Sequence, residues 1–168
     1  PAAQVAMLTG EVIPRVERLQ SYVWRRHLTS AAGRQLAGSE GPSTNETTRQ
    51  AVAFVDIVGF TSQSRSMHEA ELVGWIETFE SRSTEVVVDH GGRVIKNIGD
   101  EVLLVADTPA AAARIVHQLV SMGADEDDPF PAVRAGVAYG DVVTRLGDVL
   151  GPTVNIAARL TSLARPGT

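Results

Sequence analysis

Cysteine is absent from this chain of 168 residues, and histidine is scarce. The lack of thiols excludes disulfides, thiolate zinc sites and cysteine nucleophiles. The four histidines lie far apart in the sequence and form no HExxH-type pair. Any bound metal should therefore have oxygen ligands, which suit hard cations such as Mg²⁺ or Mn²⁺.

Long apolar runs are also lacking. No stretch approaches the roughly 20 residues that a membrane-spanning helix needs, and no signal-peptide pattern opens the chain. We therefore expect a soluble, cytoplasmic segment without a membrane span. With 43% hydrophobic residues, the chain has enough apolar side chains for a globular core.

Positive charge is sparse in most of the chain. Residues 51–168 carry nine basic and sixteen acidic residues. This acidic body argues against nucleic-acid binding, which needs a basic surface. Lys96 is the only lysine, and it lies close to a turn made of a glycine and an acid. That position makes Lys96 a candidate functional residue.

The N-terminal region differs in character from the rest. Apolar residues at helical spacing and Pro14 predict a helix over 11–37. The polar run SEGPSTNETT (39–48) is typical of a flexible boundary. The helix either packs on its own domain or links this chain to an upstream regulatory domain, and we favour the link. The predicted division is a linker over 1–48 and a second domain over 49–168.

The second domain alternates strands and helices. Its predicted strands are 51–57, 93–98, 101–106, 132–139 and 141–146, and its predicted helices are 69–89, 109–122 and 151–164. The order is βαββαβ with an added strand and helix. This order predicts an α+β, ferredoxin-like α/β sandwich with helices on one face of an antiparallel sheet. The acidic run 125–128 lacks the spacing of a calcium loop and is expected to be solvated.

Two acids stand at positions that favour metal binding. Asp56 lies in an apolar strand, where a charge is costly unless it is paired or bound to a metal. Asp100 lies at the predicted hairpin tip between two β-rich runs. In a ferredoxin-like sheet these strands are neighbours, so both carboxylates can reach the same cations. Taken singly, Asp56 could be a helix cap and Asp100 a turn former.

A nucleotide would need an unusual phosphate site, because the chain has no Walker A loop and no GxGxxG after a strand. The turn after Asp56 offers the backbone amides of Gly59, Phe60 and Thr61. Asn155 and Arg159 lie four residues apart on a helix whose neighbouring residues are apolar. A lone arginine on a helix usually pairs with a surface acid. An asparagine and an arginine together on an otherwise apolar helix instead favour a functional site.

Three segments resemble the signature blocks of class III adenylyl and guanylyl cyclases. They are FVDIVGFT (54–61), KNIGDE (96–101) and GDVLGPTVNIAARL (147–160), in matching order and spacing. The resemblance covers about 50–168, and residues 1–48 resemble less closely the linker helix of some bacterial cyclases. It implies conversion of ATP to 3′,5′-cyclic AMP and pyrophosphate with a pair of Mg²⁺ or Mn²⁺ ions.

The resemblance also implies residue roles. Asp56 and Asp100 match the metal-binding aspartates, with the Ile57 carbonyl as a further ligand. Asn155 matches the residue that orients the ribose, and Arg159 the one that stabilises charge on the reacting phosphate. The proton acceptor stays open between Asp56, a metal-bound water and the substrate's own phosphate.

Lys96 and Asp148 match the pair that selects the purine. A lysine only donates hydrogen bonds and an ionised aspartate only accepts them, which complements the adenine N1 and 6-amino group. Guanine reverses both demands, and each misplaced buried group costs roughly 1–3 kcal/mol. The alternatives are a guanylyl cyclase and a non-catalytic nucleotide-binding or dimerisation module. A diguanylate cyclase would need a GG[DE]EF-like hairpin, which the segment IGDEV (98–102) suggests only superficially.

Cyclases of this family work as dimers. The resemblance implies a head-to-tail homodimer in which one partner supplies the metal aspartates and the other supplies Lys96, Asp148, Asn155 and Arg159. Because the chain carries both sets, two equivalent sites across an isologous interface are expected. Relatives continue beyond the position of Thr168 with further strands and another basic residue for the triphosphate, so the C-terminal end of the domain is expected to be missing here.

Overall fold

The structure, a computed structural model, describes residues 46–168. The helix predicted over 11–37 lies outside the described residues. The elements are β1 (Glu46–Ile57), α1 (Phe60–Ser64), α2 (Glu69–Asp89), β2 (Gly92–Ile98), β3 (Glu101–Ala106), α3 (Pro109–Ala124), β4 (Val133–Arg145), β5 (Asp148–Leu150) and α4 (Pro152–Leu163). In this part of the chain, no helix has the length and apolar character needed to cross a membrane.

The five strands form one antiparallel sheet in the order β2-β3-β1-β4-β5. The first four strands reproduce the predicted ferredoxin-like βαββαβ arrangement, and β5 extends it at the edge. The central strand β1 is buried on both faces from Ala51 to Val55, because the odd and even residues of this stretch are all apolar. Alternate residues of a strand point to opposite faces, so β1 separates two apolar layers.

Helices α2 and α3 cover one face of the sheet. Phe79 and Val87 of α2 and Ile115 and Leu119 of α3 pack there with the odd-numbered residues of β1. Helix α3 begins at Pro109, and the Thr108 hydroxyl caps it by accepting a hydrogen bond from the Ala111 N–H at 3.2 Å. These two helices form the layer that was predicted on one face of the sheet.

Helix α4 packs on the opposite face, which differs from the predicted one-face arrangement. Its Ala157 joins Val52, Phe54 and Leu103 in a second apolar cluster. The even-numbered side chains of β1 require this cover, since they would otherwise expose apolar surface to water. The sheet is therefore sandwiched between helices.

Strand β4 is longer than predicted. The expected strands 132–139 and 141–146 are one strand, Val133–Arg145, that stays in register with β1 from Ile57↔Val133 to Glu46↔Thr144. Gly140 lies between the two predicted strands in the sequence but within β4 in the structure, and a Cβ built there would lie 2.7 Å from Thr153 Oγ1 of α4. This glycine serves close packing of the helix rather than a turn.

The start of β1 and the acidic run also differ from expectation. Strand β1 begins at Glu46, so residues 46–48 of the predicted flexible boundary are in the sheet. Within the acidic run, Asp128 is not free in solvent: its carboxylate accepts hydrogen bonds from Arg82 Nη1 and Nη2 at 2.7 and 3.1 Å. This bidentate pair ties the loop before β4 to α2.

Candidate active site

Asp56 and Asp100 lie together at the end of β1. The Ile57 N–H donates to the Asp100 carbonyl at 3.1 Å, which joins the β2–β3 turn to β1. Gly99 has φ 68° at the first turn position, as a type II′ hairpin requires. The predicted hairpin is thus confirmed, and it sets Asp100 beside the last acid of the central strand.

The acids at this end of the sheet interact electrostatically. Burial raises the pKa of Asp100, and the nearby Asp56 carboxylate raises it further. Burial also raises the pKa of Glu101 to about 7, with added repulsion from Asp56 and Asp100. Acids that repel one another in a partly buried site favour a bound cation.

Arg134 is a residue that sequence reasoning missed. It faces Asp56 across the β1–β4 pair, and its Nε and Nη2 lie 2.7 and 2.6 Å from Asp56 Oδ2. The Asp56 side chain is only 14% exposed, so this partner offsets the cost of burying its charge. The two residues are 78 positions apart in the sequence. Their contact therefore follows only from the pairing register of β1 and β4, which the sequence pattern does not give.

Glu101 was also missed as a site residue. It directly follows Asp100 and pairs with Asp56 in the β1–β3 register. The signal available in the sequence was its place at the start of a strand next to a predicted metal ligand. Among the described residues, no group of three or more His, Cys, Asp and Glu side chains forms a metal cluster. A cation here would rest mainly on Asp56 and Asp100.

Lys96 and Asp148 meet although their strands lie at opposite ends of the sheet order. Lys96 Nζ donates to Asp148 Oδ2 at 2.6 Å. A register shift in β2 between Val94 and Lys96 leaves Lys96 opposite Leu103, a residue of the α4-side cluster. The two side chains are 41% and 38% exposed, which leaves both accessible to a ligand.

The β4–β5 hairpin brings Asp148 to this position. Its two-residue turn has φ 51° at Leu146 and 79° at Gly147, and Arg145 pairs with Asp148 across it. The hairpin lies against the α4-side cluster through Val142 and Val149, where Ile95 of β2 also packs. Packing of both edge strands into one cluster explains the Lys96–Asp148 contact.

Asn155 and Arg159 lie on the outer side of α4. Thr153, Ala157 and Thr161 form the buried side of this helix, whereas Asn155 and Arg159 are exposed. Neither side chain has a hydrogen-bond or ion-pair partner in the described chain. Their apolar neighbours Ile156 and Leu160 are 52% and 43% exposed. The structure therefore does not bring this pair to Asp56 and Asp100 through direct contacts within one chain.

The turn after Asp56 begins a short helix. Gly59 has φ 69° and is the N-cap residue of α1, which starts at Phe60. The Gly59 carbonyl accepts hydrogen bonds from the Ser62 and Gln63 N–H groups, both at 3.0 Å. The amides of Gly59, Phe60 and Thr61 thus lie in a compact turn directly after the Asp56–Ile57 end of β1.

Comparison with known proteins gives a consistent family. Residues 43–168 match the adenylate and guanylate cyclase catalytic domain. The chain is 44% identical to an adenylate cyclase of Glutamicibacter nicotianae over 178 residues, covering 98% of this chain and 44% of that one. It is 46% identical to an adenylate cyclase of Streptomyces coelicolor over 154 residues, covering 91% and 40%. The chain thus spans less than half the length of these relatives.

Solved structures agree on the fold. The catalytic core of a rhodopsin-guanylyl cyclase with converted specificity, crystallised with ATPαS, superposes with a TM-score of 0.67 at 22% identity. The match covers 73% of this chain and 75% of that one. The antiparallel sheet with helices on it is therefore an arrangement that cyclase catalytic domains share.

Proposed function

Because this chain belongs to the adenylate and guanylate cyclase catalytic domain family, we propose that its protein converts ATP to 3′,5′-cyclic AMP and pyrophosphate. The observation that carries this proposal is the coexistence of the Asp56–Asp100 pair with the Lys96–Asp148 pair in one small domain. The first pair suits a metal–triphosphate, and the second suits a purine. The reaction would take place in the cytoplasm.

Asp56 and Asp100, with the Ile57 carbonyl, would hold the Mg²⁺ or Mn²⁺ ions. The residues fit a cation, because two partly buried carboxylates converge there and the pKa of Asp100 is raised by burial and then by the neighbouring charge of Asp56. Bound ions in such a pair lower the pKa of an attacking hydroxyl and neutralise the triphosphate. The amides of Gly59, Phe60 and Thr61 would donate hydrogen bonds to phosphate oxygens.

Lys96 and Asp148 would select adenine. Their mutual hydrogen bond holds the donor and the acceptor side by side. The ammonium group has two further protons to donate and the carboxylate has further lone pairs. Lys96 can therefore donate to adenine N1 while Asp148 accepts from the 6-amino group. Guanine would place an N–H against Lys96 and an oxygen against Asp148.

Asn155 and Arg159 would act on the ribose and on the reacting phosphate. Asn155 hydrogen-bonds and orients the sugar so that its 3′ oxygen faces the α-phosphorus, and Arg159 meets the negative charge that develops there. Their exposure on α4, among exposed apolar side chains, supports a site completed by a second copy. We propose a head-to-tail homodimer with two shared sites.

The test is product formation by the full-length protein supplied with ATP or GTP and with Mg²⁺ or Mn²⁺. We expect cyclic AMP from ATP and little cyclic GMP from GTP, because both purine-facing groups have the polarity for adenine. Cyclic GMP as the main product would overturn the purine assignment. No product from either nucleotide, in a folded dimer, would favour a non-catalytic nucleotide-binding module.

A further inference from the structure

The short helix α1 has few attachments to the rest of the fold. Its sequence, FTSQS, contains one apolar residue, Phe60, and none of its residues is fully buried. The Ser62, Ser64 and Gln63 side chains donate to the carbonyls of Gly59, Thr61 and Val58, at 2.7, 3.4 and 2.9 Å. These bonds are local and do not fix the helix relative to the sheet or to α2.

Phe60 makes the long-range attachment. Its ring stacks on Trp75 of α2, with centroids 5.7 Å apart and an interplanar angle of 9°. Both rings are half-buried and pack against the cluster formed by α2, α3 and the sheet. Parallel, offset aromatic rings attract each other beyond the effect of area burial. Helix α2 therefore contacts α1 through this ring pair, beside the packing of Phe60 on the cluster.

From this geometry we infer that Trp75 is a positioning residue for the turn of Gly59, Phe60 and Thr61. It acts through Phe60 and holds the turn in place after Asp56. The inference rests on the proposed function, in which the amides of this turn bind the substrate phosphates. Substrate affinity should then depend on an aromatic ring at position 75.

The experiment compares Trp75→Leu and Trp75→Phe with the wild type in the full-length protein. We expect Trp75→Leu to accelerate amide hydrogen exchange across residues 58–64, because loss of the stack lets the segment open locally. The KM for ATP with Mn²⁺ should rise roughly three- to tenfold, and kcat should change less. Trp75→Phe keeps a ring for Phe60 and should retain near-wild-type exchange and KM.

Phe79→Leu is the matched control. Phe79 lies one turn further along α2, and its ring packs on that of Phe130, with centroids 5.6 Å apart. The Phe79→Leu substitution should lower thermal stability without changing amide hydrogen exchange over 58–64 or the KM for ATP. An equal rise of KM in Phe79→Leu would overturn the inference, because general destabilisation would then explain the effect.

Phe60→Leu removes the same stack from the other side and replaces Trp75→Leu if that variant does not fold. Unchanged exchange over 58–64 in whichever of these variants folds would also overturn the inference. The exchange measurement needs no activity, so it tests Trp75 even if the wild type makes no cyclic nucleotide. A wild type without product would instead count against the proposed function.

Discussion

At the residue scale, the acid pair at the end of β1 controls the proposed chemistry. Asparagine at position 56 keeps the shape of aspartate and an oxygen that can accept a hydrogen bond from Arg134, so this substitution should disturb the metal site more than the fold. We expect Asp56→Asn to lower metal-dependent turnover at least a hundredfold, since a neutral amide is a poor ligand for Mg²⁺. Steady-state cyclic AMP formation over a range of Mn²⁺ concentrations measures this.

A control shows whether the loss is local. Asp128→Asn changes another acid that is paired with an arginine, Arg82, but away from the acid pair. It should leave turnover within a few-fold of the wild type while lowering stability. Wild-type turnover in Asp56→Asn would show that Asp56 is not a metal ligand.

Glu101 gives a prediction about pH. Its pKa is raised by burial and by Asp56 and Asp100 to about 7, above its ordinary value of 4.5. The folded state therefore holds a proton that the unfolded state loses, and stability should fall as the pH rises from about 4.5 to about 7. The Glu101→Gln substitution removes the part of this pH dependence that comes from Glu101, because glutamine does not titrate.

Denaturant unfolding at pH 5 and at pH 8, without divalent metal, tests the sign. The quantity compared is the free energy of unfolding of Glu101→Gln minus that of the wild type. We expect this difference to be more positive at pH 8 than at pH 5, because the wild type alone carries a buried charge at position 101 at pH 8. The raised pKa of Asp100 contributes in the same direction and persists in the variant. The same stability difference at both pH values would contradict the shifted pKa of Glu101.

At the element scale, α4 depends on close packing against β4. A Cβ at Gly136 would lie 2.3 Å from the Thr161 nitrogen and 2.5 Å from the Ala157 oxygen, both backbone atoms. Gly136→Ala should therefore push α4 outward and cost about 1–3 kcal/mol in the free energy of unfolding. Turnover should also fall, because α4 carries Asn155 and Arg159.

Gly74→Ala is the matched control for this prediction. Gly74 lies on the exposed side of α2, and a Cβ built there has no other atom within 4 Å. This change should raise stability by about 0.5–1 kcal/mol, because alanine favours the helix. Thermal unfolding and turnover of both variants provide the measurement. Equal stability of Gly136→Ala and the wild type would contradict the packing argument.

At the scale of the whole molecule, the proposed shared sites make a mixing prediction. Asp56→Ala and Arg159→Ala chains should each be inactive alone, while an equal mixture should regain about one quarter of the wild-type activity. Half of randomly assorted dimers are mixed, and each mixed dimer has one complete site. Turnover of co-refolded chains, with heterodimers verified by tagged pull-down, measures the rescue.

Mixing Asp56→Ala with Asp100→Ala chains is the control, because both changes fall in the same half of each site. Their heterodimer has no complete site and should stay inactive. Absence of rescue in the first mixture, with heterodimers present, would place all site residues in one chain. Equal rescue in both mixtures would show that the two sets of residues are divided differently.

Much of the fold could be predicted from the chain alone. Local periodicity and turn residues specify helices and strands directly, so the hairpin at Gly99, the long helix α2 and the βαββαβ order were predicted correctly. The family was predicted differently, by the resemblance of three segments to cyclase signature blocks. The local pattern was misleading at Gly140. It predicted a boundary between two strands there, whereas this glycine lies within β4 and allows close packing against Thr153.

Sequence by itself determined which residues we propose for the chemistry: an acid in an apolar strand, an acid in a tight turn, a single lysine, and Asn155 with Arg159 on one helix. Tertiary structure alone decided which of them meet. Arg134 reaches Asp56 through strand register, and Lys96 reaches Asp148 because both edge strands pack into the cluster under α4. Such contacts arise from long-range packing, whereas the pattern along a chain reports only its local conformation.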